Sequence, residues 1–568
     1  MSGIVGAWDL GGRPLGAGLV PAMLDRMARR GPDGLSVWEE SSIGLGCALR
    51  RSTPESGGEV QRFVHPSGAV IVFDGRLDDR DELIVELRGW PEADALQSDP
   101  ELVMAAYEAL GEAFAERLSG DFAFAIFDPV KQWLMLGRDA IGARPLHFFR
   151  TRDTFLFASE ISALLEHPAV EAKPNLGQLA SYLNDRRPSG DGGSATFFEG
   201  IHSLLPATVA IVTASRFVTR RYWDFDGARQ VRFESSEGYR EGFRVQLERA
   251  VRRRMRTLGR VHVSGGDAPI DVSVRVMALG IRRADISIVT AGQRSSDELS
   301  STVVASENPG LVGWEACRMP RDPDAGTVLW GPPAGAILSD RSFLMDLAGR
   351  FALRDLLSYL DALARSSEEH GVYRRFAADF FSAHAPLSIT QRSAKGSAPS
   401  WYAEGFLGSA ARPARAESKV RGAFPTHCAR SLYGLIRSWR TVLEMESASK
   451  VGTALGLEVS FPLMDRDLLS FLMAIPGEER SRPGAPYSIL GLGSGSGTEP
   501  SLDLGGLQAA AYRSVEGAAC SRFGVTDQEE LALEVPASLL RAQDGDRQAA
   551  RDLRELLGTE MWLTGFFA

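Results

Sequence analysis

The sequence predicts two unlike halves: an α+β sandwich of short strands, then an α/β unit with a parallel sheet. Three observations predict this. Up to about residue 225, β-prone runs come densely and are bounded by Gly, Pro or Asp. From about residue 239, strand-like and helix-like stretches alternate, the pattern of a parallel sheet with crossover helices. Within that second half, Val261-His262-Val263 feeds a Ser264-Gly265-Gly266 turn, and the segment after Pro269 is long enough to start a helix.

In the first half, the runs 43–49, 69–73, 122–127, 133–136 and 154–158 are strand candidates. Phe122-Ala123-Phe124-Ala125-Ile126-Phe127 and Trp133-Leu134-Met135-Leu136, separated by Asp128-Pro129, read as a hairpin. The polar stretch 227–238 marks the boundary, giving domains 1–226 and 239–568. In the second half, 261–263, 286–290 and 327–330 are strand candidates, and helical spacing recurs at 432–443, with an apolar run at 468–475. The segment 482–506 holds Gly491-Leu492-Gly493-Ser494-Gly495-Ser496-Gly497, a composition expected to be flexible.

The chain of 568 residues has room for two to four domains. A formal charge of -10 and a pI near 5.5 argue against nucleic acid as the main partner, which needs clustered cations. The one dense basic run, Arg252-Arg253-Arg254, lies in a stretch of helical spacing and is read as a solvated helix face. Cys47, Cys317, Cys428 and Cys520 are far apart and form no CxxC pair, so reduced thiols are expected. The first residues carry no basic, apolar leader, and no segment reaches the roughly 20 apolar residues a membrane span needs. A soluble, cytoplasmic protein without membrane partners is the expectation. His147 and His262 sit in apolar runs and read as core histidines, and no HExxH or Cys/His cluster points to zinc.

The strand, glycine turn and helix at 261–277 suit phosphate, because backbone N–H groups and a helix N-terminus converge there. The wider order of motifs carries more. Met1-Ser2-Gly3-Ile4-Val5-Gly6, Arg30-Gly31-Pro32-Asp33-Gly34, Phe73-Asp74-Gly75-Arg76 and Ser98-Asp99-Pro100-Glu101 follow one another. Gly120-Asp121-Phe122-Ala123-Phe124, Arg138-Asp139-Ala140-Ile141-Gly142-Ala143-Arg144-Pro145-Leu146 and Phe157-Ala158-Ser159-Glu160-Ile161 continue the series. This order resembles the glutamine amidotransferase domain of glutamine-hydrolysing asparagine synthetases. Thr53-Pro54-Glu55-Ser56 is similar to the branch that closes lasso peptides. Leu457-Glu458-Val459-Ser460-Phe461-Pro462-Leu463-Met464-Asp465 resembles the family's carboxyl-terminal signature.

The resemblance implies an N-terminal-nucleophile hydrolase sandwich followed by an adenine nucleotide alpha hydrolase-like synthetase domain. It implies ATP and magnesium as cofactors, and a glutamine pocket at Ser2, Arg50, Asp74, Gly75 and Asp99. It implies a pyrophosphate loop at Ser264, Gly265, Gly266 and Asp267. Several positions depart from the family pattern. A hydroxyl at Ser2 replaces the family's thiol, which is far more ionised at neutral pH. Asp74 stands where an amide would support an oxyanion, and the carboxylate-gripping arginine is displaced by one position, to Arg50. Asp267 falls one residue early in its loop, about 100° of helix. Gly335 stands where a magnesium-holding acid is expected, Pro332 and Pro333 remove two backbone donors, and no lysine follows Lys450.

Two readings of function follow. In one, the chain has lost its chemistry and serves as a binding or partner subunit for a peptide or protein. In the other, it still forms an amide by adenylating a carboxylate, as in peptide macrocyclisation or asparagine synthesis. The losses at the nucleophile, the acids and the lysine favour the first.

Overall fold

The computed structural model describes residues 2–59, 63–87, 98–183, 193–264, 269–281, 286–289, 307–308, 325–331, 337–338, 340–365, 372–374, 376–377, 380, 399, 402–403, 406, 424–480, 489, 519–523, 525–526, 535, 538, 541 and 547–567. Twelve strands form two antiparallel six-stranded sheets. They are β1 (Gly3–Asp9), β2 (Gly34–Glu40), β3 (Ile43–Leu49), β4 (Phe63–Val64), β5 (Val70–Leu77), β6 (Gly120–Asp128), β7 (Trp133–Arg138), β8 (His147–Arg150), β9 (Thr154–Ala158), β10 (Ile201–Ser203), β11 (Thr208–Val212) and β12 (Phe217–Arg221). The first sheet runs β10-β8-β9-β1-β3-β2 and the second β12-β11-β7-β6-β5-β4.

Side-chain alternation in β6 explains the layering. Ala123, Ala125 and Phe127 face inward with Ile4, Leu45 and Val72, and join the two sheets into one core. Phe122, Phe124 and Ile126 face the other way, onto a helical layer. Close packing makes a glycine obligatory in the central strand: a Cβ at Gly6 would lie 2.1 Å from the Phe157 ring. Helix α1 (Leu19–Arg26) covers the first sheet, and α2 (Asp99–Leu110) covers the second. The motif at 98–101 has a local cause as well, since Ser98 and Glu101 form a capping box at the start of α2. The short α3 (Ile161–Leu164) follows β9, and the two sheets with their covering helices form an α+β sandwich, as the sequence predicts.

A third sheet is parallel, in the order β14-β13-β15-β16. Its strands are β13 (Arg260–Ser264), β14 (Ile286–Val289), β15 (Ala325–Leu329) and β16 (Glu458–Ser460). It packs against α4 (Ser236–Arg254), α5 (Pro269–Ile281), α6 (His427–Ile436), α7 (Trp439–Ala454) and α8 (Arg466–Ala474). The final helix, α9 (Arg547–Phe567), turns back to the first sheet. There Trp562 is fully buried against Phe197 and Phe198. The sequence placed this stretch with the second half, whereas its apolar face completes the outer core of the first.

The two halves share a charged interface. Asp139 accepts backbone hydrogen bonds from Ile141, Gly142, Ala143 and Arg144 at 2.7–3.0 Å and so folds the loop after β7. Ala140, Ile141 and Ala143 enter the core of the parallel sheet. Arg138 pairs with Glu446 of α7 at 2.7 Å, and Arg144 pairs with Glu458 of β16. The reading of Arg252-Arg253-Arg254 as a solvated face is corrected here. Arg252 is exposed and meets Glu248, but Arg254 is buried between Asp121 (3.3 Å) and Asp465 (2.8 Å). Arg253, half-buried, contacts Asp465 at 3.0 Å and Asp467 at 2.7 Å. The cause is position: these arginines end α4 where acids of β6 and α8 converge, so each cation gains partners that water would otherwise replace. Among the described residues no helix is long and apolar enough to cross a membrane.

Candidate functional site

Ser2 precedes β1 and is buried, with its hydroxyl accepting the Arg50 N–H at 3.0 Å. Arg30 lies beneath it, fully buried, and donates from Nη1 to the Ser2 carbonyl at 3.2 Å. Arg30 Nε donates to Glu160 at 2.5 Å. Asp74, in β5, is fully buried and 3.8 Å from Arg30 Nη1, and its carboxylate accepts no hydrogen bond among the described residues. Burial pushes its pKa up, against the pull of Arg144 and Arg30. One guanidinium therefore links Ser2, Asp74 and Glu160.

The other residues assigned to the glutamine pocket sit differently. Gly75 has φ of 134°, and a Cβ there would lie 2.1 Å from the Asp121 carbonyl oxygen, so backbone contact with β6 alone requires glycine. Asp99 is buried in a pair with Arg80 and accepts the Leu77 N–H at 2.8 Å. Arg50 keeps its backbone at Ser2, but its guanidinium donates to the carbonyl of Gly456, across the interface with the second half. The Arg50 guanidinium is thus held by the chain itself.

Ser264 ends β13 at the carboxyl edge of the parallel sheet, and α5 begins at Pro269. Open parallel sheets bind ligands at this edge. Gly265, Gly266 and Asp267 lie outside the described residues, as do Pro332, Pro333, Gly335 and the glycine-rich run 491–497. Among the described residues no group of three or more His, Cys, Asp and Glu side chains is placed to hold a metal ion.

Sequence reasoning did not single out a set of buried charges in the second half. Lys450 and Glu446 are buried on α7, Glu458 is buried on β16, and Glu307 meets Lys450 at 2.8 Å. A signal existed: Glu446 and Lys450 stand four residues apart inside an otherwise small and apolar run, a spacing that puts both on one helix face.

A glutamine amidotransferase domain model matches residues 1–223. Residues 1–223 are thus similar to a glutamine amidotransferase domain. The chain is similar to a glutamine-hydrolysing asparagine synthetase of Bacillus subtilis, 29% identical over 208 residues, which is 36% of this chain and 33% of that one. It is also similar to an amidase of Gibberella zeae, 31% identical over 257 residues, 43% of this chain and 36% of that one. A second Bacillus subtilis asparagine synthetase is 28% identical over 229 residues, covering 39% of this chain and 30% of its own. The chain thus spans about a third of the length of these relatives. The solved Bacillus subtilis glutamine phosphoribosylpyrophosphate amidotransferase aligns with 52% of this chain and 67% of its own, at 14% identity and a TM-score of 0.29.

Proposed function

We propose that this asparagine synthetase-like protein does not hydrolyse glutamine and acts as a binding or partner subunit, with a peptide or protein as its partner. The observation that carries this reading is Arg50, whose guanidinium is bound to the Gly456 carbonyl rather than left to grip a carboxylate. Asp74 adds to it. An acid where an amide donor would be needed offers an ionised oxygen no favourable place to develop charge. The serine hydroxyl at position 2 completes the argument, being a weaker nucleophile than a thiol in a pocket shaped for sulfur. A cytoplasmic site of action belongs to the same reading.

A second reading keeps the amide ligase, with ATP at the carboxyl edge of the parallel sheet, and the end of β13 at Ser264 with α5 starting at Pro269 supports it. One pair of assays separates the two. Full-length protein is used as bait for a peptide or protein partner, and is also given ATP, magnesium and carboxylate substrates. A retained partner with no release of AMP or ADP supports the binding reading. Nucleotide turnover abolished by Asp267→Ala supports the ligase.

A further inference from the structure

The buried group around Lys450 lies outside the pocket yet reaches it. Lys450 Nζ is 2.8 Å from Glu307 Oε2 and 3.2 Å from His147 Nε2, all three buried. A lysine ammonium can only donate, so His147 Nε2 is the acceptor and the ring proton lies on Nδ1, which faces Ser203 Oγ at 2.9 Å. Burial, then Lys450, holds His147 well below its usual value, so the ring is neutral. Glu307 accepts the N–H groups of Ile161 at 2.7 Å and Ser162 at 2.6 Å, the first turn of α3. It does so at φ of 56°, a left-handed conformation that a residue other than glycine adopts only when its surroundings hold it.

We infer that Lys450 is a positioning residue for the Ser2 pocket, acting through Glu307 and α3 from the other half of the chain. The path is continuous. Glu307 fixes the N–H of Ile161, and the preceding Glu160 holds Arg30, which touches the Ser2 carbonyl and faces Asp74. The amidotransferase domain alone does not contain this arrangement, because Lys450 belongs to α7, packed on the parallel sheet. Moving or neutralising Lys450 releases the start of α3 and lets Arg30 shift under Ser2. The inference rests on the reading that the Ser2 pocket is a site, whether or not it turns over.

Ser2→Cys provides a reporter in the full chain. Alkylation of its thiol by iodoacetamide is followed at peptide resolution, separately from the other four cysteines. Against this background, Lys450→Met with Glu307→Gln removes both charges while keeping their shapes. The expected result is at least a fivefold change in the alkylation rate at position 2, with Lys450→Arg in the same background within twofold of the parent. Histidine 15N spectra, assigned with His147→Gln, are expected to show the Nδ1–H form in the parent and its loss in the double variant. Should the double variant fail to fold, Glu307→Asp, which shortens the arm but keeps the charge, is held to the same fivefold threshold. An alkylation rate at position 2 within twofold of the parent in the folded variant overturns the inference, even if the His147 signal moves. Glutamine hydrolysis by the native chain would sink the proposed function and leave this inference standing.

Discussion

Asp74 and Arg254 show how one residue's surroundings decide what its charge does. Burial raises Asp74, so the folded chain binds this proton more tightly than the unfolded chain, whose carboxyl stays near 3.9. The sign follows: the associated stability is fully present below the unfolded value and is lost as pH rises through the folded one. Asp74→Asn is therefore expected to raise the melting temperature at pH 7–8, on the order of 1 kcal/mol of stability, with the gain vanishing near pH 4. Thermal melts across that range check it, and a lower melting temperature would show that Arg30 depends on the carboxylate. Arg254 is the opposite case, a buried cation with two acidic partners. Arg254→Ala is expected to cost about 3–5 kcal/mol by leaving Asp465 and Asp121 buried without it, whereas Arg252→Ala, on the exposed face, should leave urea unfolding unchanged.

Elements are where legibility divided. The runs 43–49, 122–127, 133–136 and 154–158 coincide with β3, β6, β7 and β9, because alternation on a strand buried on both faces leaves an unbroken apolar signal. β2, whose residues are half-exposed or exposed, and the short β8, β10 and β12 left no such run and were not predicted. α9 was missed for a different reason. Local pattern shows that a stretch is apolar, not which distant sheet it will cover, and α9 returns over more than 300 residues to Phe197 and Phe198. Trp562→Ala is expected to cost about 3–5 kcal/mol and to destabilise the antiparallel sandwich. Hydrogen exchange resolved by segment should show the loss in β1 and β9, and a loss confined to the parallel-sheet region would contradict this placement.

On the scale of the whole molecule, buried ion pairs bind the two halves together. Burial by itself would raise Glu458 and Asp465, yet Arg144 for the first, and Arg254 and Arg253 for the second, hold both well below the usual carboxylate range. Their contribution is present above the unfolded values near 4 and is lost as pH falls toward the folded ones. Acid titration is accordingly expected to loosen the interface before the antiparallel core, and Glu458→Gln with Asp465→Asn should flatten that dependence. The motif order made the amidotransferase domain legible, since each motif is a local turn, cap or strand. The candidate site was legible only as a set of positions. That Arg50 would reach Gly456 depends on a contact between segments far apart in the chain, and that Asp99 would be taken by Arg80 depends on how α2 packs on β5.

The central claim is that the amidotransferase fold persists here without its hydrolysis. Its most direct test is glutamate release from glutamine by the full chain, with removal of the initiator methionine verified by mass. No release above buffer is expected, and none from Ser2→Ala. Steady turnover that Ser2→Ala abolishes would contradict it, and would mean that Arg50 leaves Gly456 to take the substrate's carboxylate.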